Sequence, residues 1–127
     1  MSKIESGNWN EVPWRTIRRG ITQATIGLEA DSITVTIGAI ENNAELRPHS
    51  HPNEQLALCL AGKCDYYVDG VPHKLTAGGW VLVPPNVEHY AHVYESDVPC
   101  LQMDIFAPAR PEYVQAYKDF LESLKNS

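Results

Sequence analysis

The sequence lacks both an excess of positive charge and any long apolar run. It has 10 Lys and Arg residues against 16 Asp and Glu, a formal net charge of -6. Nucleic acids and anionic membranes attract basic faces, so this balance argues against both as partners. No stretch approaches the ~20 consecutive apolar residues of a membrane span, and the first residues lack the apolar core of a secretion signal. We therefore expect a cytoplasmic protein.

Cysteine is also scarce. The three cysteines, Cys59, Cys64 and Cys100, form neither a paired framework nor a Cys-X2-Cys metal motif. Such usage fits a reducing compartment, and we expect all three to be packing residues. Cys59 shares strand parity with Gln55, so a place in the wall of a cavity is the alternative for that thiol.

Long amphipathic helices are absent until the end of the chain. Short runs rich in Ile, Thr and Val alternate with turn residues, which predicts an all-β sandwich or barrel. A length of 127 residues allows one domain. We expect an N-terminal arm over 1–15, a barrel over 16–108 and a helix over 111–125. The predicted strands cover residues 22–28, 32–40, 56–60, 65–68, 80–83, 90–94 and 99–106.

The two ends of the chain carry apolar and basic residues whose partners the sequence leaves open. Trp9 and Trp14 either cap the barrel or contact a partner subunit. The basic run of Arg15, Arg18 and Arg19 is interpreted as a solvated edge beside the arm. In the tail, an apolar stripe at helical spacing packs on the barrel or forms a dimer contact. The stripe consists of Val114, Tyr117, Leu121 and Leu124.

Histidines with metal-ligand spacing are the most informative feature of the sequence. His49 and His51 are two apart, so on a strand both imidazoles point to one face. Counting on by twos reaches Gln55, whereas Glu54 falls on the opposite face. His89 is a fourth candidate ligand. Three imidazoles and an amide oxygen suit Fe, Mn, Ni, Co, Zn or Cu better than Ca or Mg, so we predict one divalent transition metal of unspecified identity.

The last predicted strand has two unlike faces, one aliphatic and one that includes Asp104. Either Asp104 is a solvated carboxylate, or it points into the cavity as a general acid or base. Arg110 lies just beyond this strand and is placed to clamp a substrate carboxylate through a bidentate pair. Arg47 shares the parity of His49. It lies either at the cavity rim, where a second cation would help to bind an acidic substrate, or in a surface ion pair.

The histidine segments together resemble the two motifs of the cupin superfamily, apart from Gln in place of Glu. The resemblance implies a double-stranded β-helix, the jelly-roll barrel of cupins, with a C-terminal α-helix added here. It also implies a homodimer. The matching motifs are His49-X-His51-X3-Gln55-X6-Gly62 and Gly78-X5-Pro84-X-Asn86-X2-His89.

A narrower resemblance comes from the segment Asp104-Ile-Phe106-Ala-Pro-Ala-Arg110, which is similar to the pectin-degradation cupins of the KdgF kind. Those proteins convert 4,5-unsaturated uronates from pectin or alginate breakdown into linear ketouronates. The resemblance implies a divalent metal on three histidines and a glutamine. It also implies that Asp104, Phe106 and Arg110 surround a small carboxylate substrate.

Replacing the usual carboxylate ligand by Gln55 leaves a bound divalent ion with its full formal charge. Such an ion is the stronger Lewis acid, which favours isomerase, lyase or cyclase chemistry on an acidic or enolisable substrate. Three alternatives remain open. They are an Fe(II)-dependent dioxygenase, a polyketide cyclase, and a non-catalytic cupin that binds a small molecule.

Overall fold

The computed structural model describes residues 3–126, which form nine strands and one α-helix, preceded by a 3-10 turn at Trp9–Glu11. The all-β prediction with a C-terminal helix is confirmed. The elements are β1 (Arg15–Arg18), β2 (Ile21–Ile26), β3 (Thr34–Ile40), β4 (Glu54–Ala61), β5 (Lys63–Val68), β6 (Val71–Thr76), β7 (Trp80–Val83), β8 (His89–His92), β9 (Cys100–Ala107) and α1 (Pro111–Lys125).

The strands form two antiparallel sheets. The larger has the order β1-β2-β3-β9-β4-β7, and the smaller has the order β6-β5-β8. Side chains alternate between the two faces of each strand, and the inward ones make the main core. Ala57 and Cys59 of β4, Tyr66 of β5 and Val83 of β7 belong to this buried cluster. The jelly-roll arrangement thus encloses an apolar core.

Two strands have no counterpart among the predicted ones. β1 is only four residues long and carries two arginines, so it lacks an apolar alternation. β6 is exposed along most of its length and buries only Leu75, which gives no period-2 signal either. The turn before β6 was predictable, because Asp-Gly is a strong sequence signal for a hairpin turn. Asp69 and Gly70 both adopt positive φ in the β5–β6 hairpin.

The N-terminal arm and α1 pack together on the outer face of the large sheet. The Tyr117 hydroxyl donates to the Pro13 carbonyl at 2.7 Å, and the Trp14 indole donates to the Trp9 carbonyl at 2.7 Å. Tyr117 is buried in a second apolar cluster, whereas Leu124 at the end of the predicted stripe is 45% exposed. Both tryptophans pack against that cluster. The arm therefore covers the sheet within the same chain.

The three cysteines are buried and free. The Cys59 and Cys100 sulfurs lie 3.9 Å apart in the main core. Burial raises the pKa of the Cys59 thiol to about 12, so it carries little thiolate at neutral pH. These are packing residues, as expected. Between residues 3 and 126, no helix is long and apolar enough to cross a membrane.

Candidate metal centre and its cavity

Three imidazoles converge where the two histidine segments meet. One nitrogen from each of His49, His51 and His89 lies within 4.8 Å of the others. The backbones of His49 and His89 bond reciprocally, at 3.2 and 2.9 Å, which ties the two segments together. His51 and His89 are buried, while His49 is exposed.

The ring orientation of each histidine is fixed by a backbone carbonyl. A carbonyl only accepts hydrogen bonds, so each Nδ1 carries the hydrogen and each neutral ring has a lone pair on Nε2. Metal-binding histidines are oriented in this way in many proteins. The acceptors are the carbonyls of Arg47 for His49 at 2.7 Å, of Asn53 for His51 at 3.0 Å and of Val87 for His89 at 2.8 Å.

The side chains at this centre fit a cation, because several of their acceptor atoms have no hydrogen-bond donor to bind. His51 Nε2 lies 2.9 Å from Gln55 Oε1, which brings two acceptors together, and His89 Nε2 is buried without a hydrogen-bond partner. Burial lowers the pKa of His89 to about 4, which keeps that ring neutral. A divalent transition ion held by His49, His51, His89 and Gln55 would satisfy all of these atoms.

Gln55 cannot turn its amide around without losing two other bonds. Its Nε2 donates to the Tyr66 hydroxyl at 3.1 Å and to Asp104 Oδ1 at 2.8 Å. Rotation would direct the amide oxygen at the carboxylate of Asp104. The amide oxygen is therefore held toward His51, on the side where the imidazoles meet.

Asp104 lies in the cavity wall and not in solvent, which decides where this side chain points. The Gln102 Nε2 donates to both of its oxygens, at 2.9 and 3.0 Å, and Gln55 adds the third bond. Burial raises the pKa of Asp104 to about 6, an effect that the two amide bonds partly offset. The Asp104 carboxylate is thus held in place by two amides and faces any ligand that enters the cavity.

Arg110 and Phe106 lie on the same side of the cavity. The Arg110 guanidinium stacks on Tyr113 at 4.0 Å from the ring centroid and lies 5.2 Å from that of Phe106. Its Nε donates to Glu112 at 2.8 Å, while its NH1 is buried without a partner. The free NH1 is available to an anion.

A cavity of about 360 Å³ joins these groups. Six of the predicted site residues line it, and one ring nitrogen from each of the other two, His51 and His89, lies within 4.8 Å of a ring nitrogen of His49. The six are Arg47, His49, Gln55, Asp104, Phe106 and Arg110.

Sequence reasoning missed part of the cavity wall, chiefly Arg18, Gln102 and Tyr113. Arg18 was expected on a solvated edge, and that expectation is wrong for this residue, although Arg19 is exposed. The register of β1 shifts between Thr16 and Arg18, so simple alternation does not give the direction of the side chain. Gln102 could have been predicted in the cavity wall, because it lies on the same face of β9 as Asp104.

Comparison with known proteins places this geometry in a family. The family model described as Cupin domain matches residues 36–106. The dimethylsulfoniopropionate lyase DddW of Ruegeria pomeroyi is 32% identical over 81 residues, which are 64% of this chain and 50% of that protein. The chain thus spans about half the length of this curated relative.

Solved structures show the same fold. An RmlC-like cupin from Shewanella frigidimarina is 25% identical, with a TM-score of 0.77 over 88% of this chain and 97% of that one. KdgF from Halomonas sp. is 19% identical, with a TM-score of 0.73 over 81% and 92% of the two chains. The likeness to KdgF shows a shared fold and no more.

Proposed function

The chain belongs to the cupin family, and from this premise we propose that it is a metal-dependent isomerase or lyase acting on a small carboxylate. One observation carries the proposal. The carboxylate of Asp104 is fixed by two amides inside the cavity, and one of these amides, Gln55, directs its oxygen toward the histidine cluster. A base beside a cation site is the arrangement that enolisation and elimination require.

The proposed metal ligands are His49, His51, Gln55 and His89. When bound there, a divalent transition ion supplies a Lewis acid for a substrate oxygen. The chain itself contributes neutral ligands, each held by a hydrogen bond to the backbone or to a neighbouring side chain. Because no ligand carries a negative charge, the site favours an anionic substrate.

Asp104, Arg110 and Phe106 are the proposed substrate-handling residues. Arg110 binds the substrate carboxylate through its unpaired NH1, while stacking on Tyr113 and Phe106 limits its movement. Asp104 accepts and returns a proton at the reacting carbon or oxygen. Phe106 covers one side of the cavity and excludes water from the charged groups.

The most specific form of the proposal is ring opening of 4,5-unsaturated uronates. Asp104 takes the proton of the anomeric hydroxyl, the bond between C1 and the ring oxygen breaks, and C1 becomes an aldehyde. The electron pair left on the ring oxygen forms an enolate, which takes a proton at C4 and becomes a ketone. The product is an isomer of the substrate, so no co-reactant is needed. The Asp-X-Phe-X-Pro-X-Arg segment supports this choice.

A second candidate is β-elimination from dimethylsulfoniopropionate, which the identity to the Ruegeria lyase favours. In that reaction Asp104 removes the proton α to the carboxylate, and dimethyl sulfide leaves with the electrons of the carbon–sulfur bond. The cavity lining contains Arg18, Arg47 and Arg110, whose positive charge opposes a sulfonium ion. Ring opening of a uronate is therefore our first choice.

The test is the loss of ultraviolet absorbance of 4,5-unsaturated galacturonate with metal-loaded protein, compared with chelated protein. We expect decay that requires the metal, and we expect Asp104→Asn to lower kcat by roughly 10²- to 10⁴-fold without loss of metal. Asp97→Asn, an exposed carboxylate, is the matched control and leaves kcat unchanged.

Other outcomes separate the alternatives. Absence of decay with fully loaded protein discards the uronate reaction, and release of dimethyl sulfide from the second substrate then selects the elimination. Oxygen uptake would identify a dioxygenase. Full activity of the Asp104→Asn variant would remove the proposed base from any of these reactions.

A further inference from the structure

One polar atom of the cavity wall has no role in the function proposed above. Gln102 lines the cavity and is only 8% exposed. Its Nε2 donates to both oxygens of Asp104, at 2.9 and 3.0 Å. An ionised carboxylate only accepts hydrogen bonds, so the amide cannot turn around, and Oε1 is directed away from Asp104. This Oε1 is buried without a hydrogen-bond partner, which is unfavourable for a carbonyl oxygen.

A second glutamine faces the same part of the cavity. In the large sheet, Gln102 of β9 is opposite Gly38 of β3, which is in turn opposite Gln23 of β2. Residues paired in this way have their side chains on one face of the sheet, and Gln23 also lines the cavity. A Cβ at Gly38 would lie 3.9 Å from Gln23 Cγ, so the missing side chain leaves space beside that glutamine. The two glutamine backbones are two strand spacings apart, roughly 10 Å, and border this gap.

The side chains along β9 give the gap a fixed place relative to the proposed base. Gln102, Asp104 and Phe106 all line the cavity and follow one another on one face of the strand, at intervals of about 7 Å. Arg110 comes after the strand, and its guanidinium lies 5.2 Å from the centroid of the Phe106 ring. A ligand whose carboxylate binds Arg110 therefore extends past Asp104 before it reaches Gln102. The far end of such a ligand meets neutral amides.

Hydrogen-bond chemistry decides which ligand group suits these amides. Gln102 Oε1 can only accept, so it needs an O–H or N–H group, whereas the amide of Gln23 can donate and accept. A hydroxyl group also donates and accepts, so hydroxyl groups can satisfy both side chains. A carboxylate, an ether oxygen or a sulfonium ion has no such hydrogen to give to Oε1. The gap over Gly38 therefore suits the hydroxylated part of a ligand.

We propose that Gln102 and Gln23 bind hydroxyl groups of the substrate, and that they select hydroxylated carboxylic acids. The inference rests on the proposed function, because Arg110 is taken to bind the carboxylate at the other end. It deepens that function by naming two residues that recognise the sugar part of a uronate. The same residues would discriminate against dimethylsulfoniopropionate, which has no hydroxyl group.

Calorimetric titration of zinc-loaded protein with galacturonate and its 2-deoxy and 3-deoxy analogues tests the proposal. Each analogue keeps the carboxylate and lacks a single hydroxyl group. We expect at least one analogue to bind roughly tenfold more weakly than galacturonate, because a buried amide oxygen then stays without a donor. Gln102→Leu and Gln23→Leu should each remove most of this difference in affinity. Gln115→Leu, the same change at an exposed position of α1, should preserve it.

The difference in affinity is compared within each variant, so a general weakening of binding does not affect the result. Gln23→Leu leaves the bonds between Gln102 and Asp104 in place, and it therefore separates recognition of hydroxyl groups from a purely structural role of Gln102. Equal affinity for the three acids, no binding of any of them, or a difference that survives Gln102→Leu or Gln23→Leu refutes the inference.

The same titrations keep the inference apart from the proposed function. A difference in affinity that depends on both glutamines, in protein that does not turn over 4,5-unsaturated galacturonate, supports the inference and counts only against the proposed function. Turnover of 4,5-unsaturated galacturonate by protein that binds the three acids equally supports the proposed function and refutes the inference.

Discussion

Gln55 connects the candidate metal centre to the proposed base through one side chain. Its amide oxygen lies 2.9 Å from His51 Nε2, and its amide nitrogen lies 2.8 Å from Asp104 Oδ1. A carboxylate at position 55 offers no hydrogen to Asp104. The amide therefore allows two adjacent functions, metal binding and proton transfer, to occupy one small region without like charges in contact.

Gln55→Glu tests this coupling. We expect the free energy of unfolding of metal-free protein at neutral pH to fall by about 1–3 kcal/mol, because a hydrogen bond is replaced by repulsion between two acids. Adding Asp104→Asn restores a donor, so the double variant should recover most of the loss in a double-mutant cycle followed by urea denaturation. Glu54→Gln, on the exposed face of the same strand, is the control. Additive effects of the two changes would contradict the coupling.

The turn between β4 and β5 shows how an element depends on a single residue. Gly62 has a φ of +73°, and a Cβ there would lie 2.8 Å from Ser96 Oγ and 3.0 Å from the Pro99 carbonyl oxygen. The Ser96 hydroxyl accepts from the Lys63 amide and donates to the Val98 carbonyl. The turn is packed against the loop before β9, and this contact helps to set where β5 and β9 begin.

Gly62→Ala should therefore destabilise the protein more than a left-handed backbone alone requires. Gly27→Ala is the matched control, since Gly27 has a φ of +64° with no heavy atom within 4 Å of a Cβ. We expect a loss of about 1–2 kcal/mol for the control and a larger loss for Gly62→Ala, measured by thermal unfolding. Equal losses would show that the contact with Ser96 has no steric cost.

At the scale of the whole molecule, the proposed metal joins parts that are distant in sequence. His49 and His51 precede β4, whereas His89 begins β8 of the other sheet. An ion bound by all three links the two sheets. It would stabilise the folded state by an amount that grows with the logarithm of the free ion concentration divided by Kd, because an unfolded chain does not bring the ligands together.

Metal loading is expected to raise the free energy of unfolding by about 2.7 kcal/mol when the free ion is at 100 times its Kd. Chelation should reverse the corresponding increase in Tm. His49→Ala, which removes a solvent-exposed ligand, should abolish the metal-dependent increase, while the exposed His73→Ala should retain it. An increase of the same size in the His49→Ala variant would place the ion elsewhere.

The sequence alone determined the class of fold and the residues that meet at the centre. The spacing of His49, His51 and Gln55 follows from the two-residue period of a strand, which is a local property. The turn residues and short apolar runs predicted seven of the nine strands for the same reason. Local rules also identified Arg47 and Arg110, and the resemblance to the pectin-degradation cupins added Phe106. All three line the cavity.

Only the tertiary structure decided which way Asp104 and Arg18 point. Both faces of β9 carried plausible core residues. The face that points into the cavity is selected by pairing with β4 and by the hydrogen bond from Gln55 of that strand to Asp104, and β4 is distant from β9 in the sequence. The irregular register of β1 turned Arg18 inward, against the simple interpretation of a basic run. The directions of these two side chains depend on long-range packing and hydrogen bonding, which cannot be predicted from the two-residue period of a single strand.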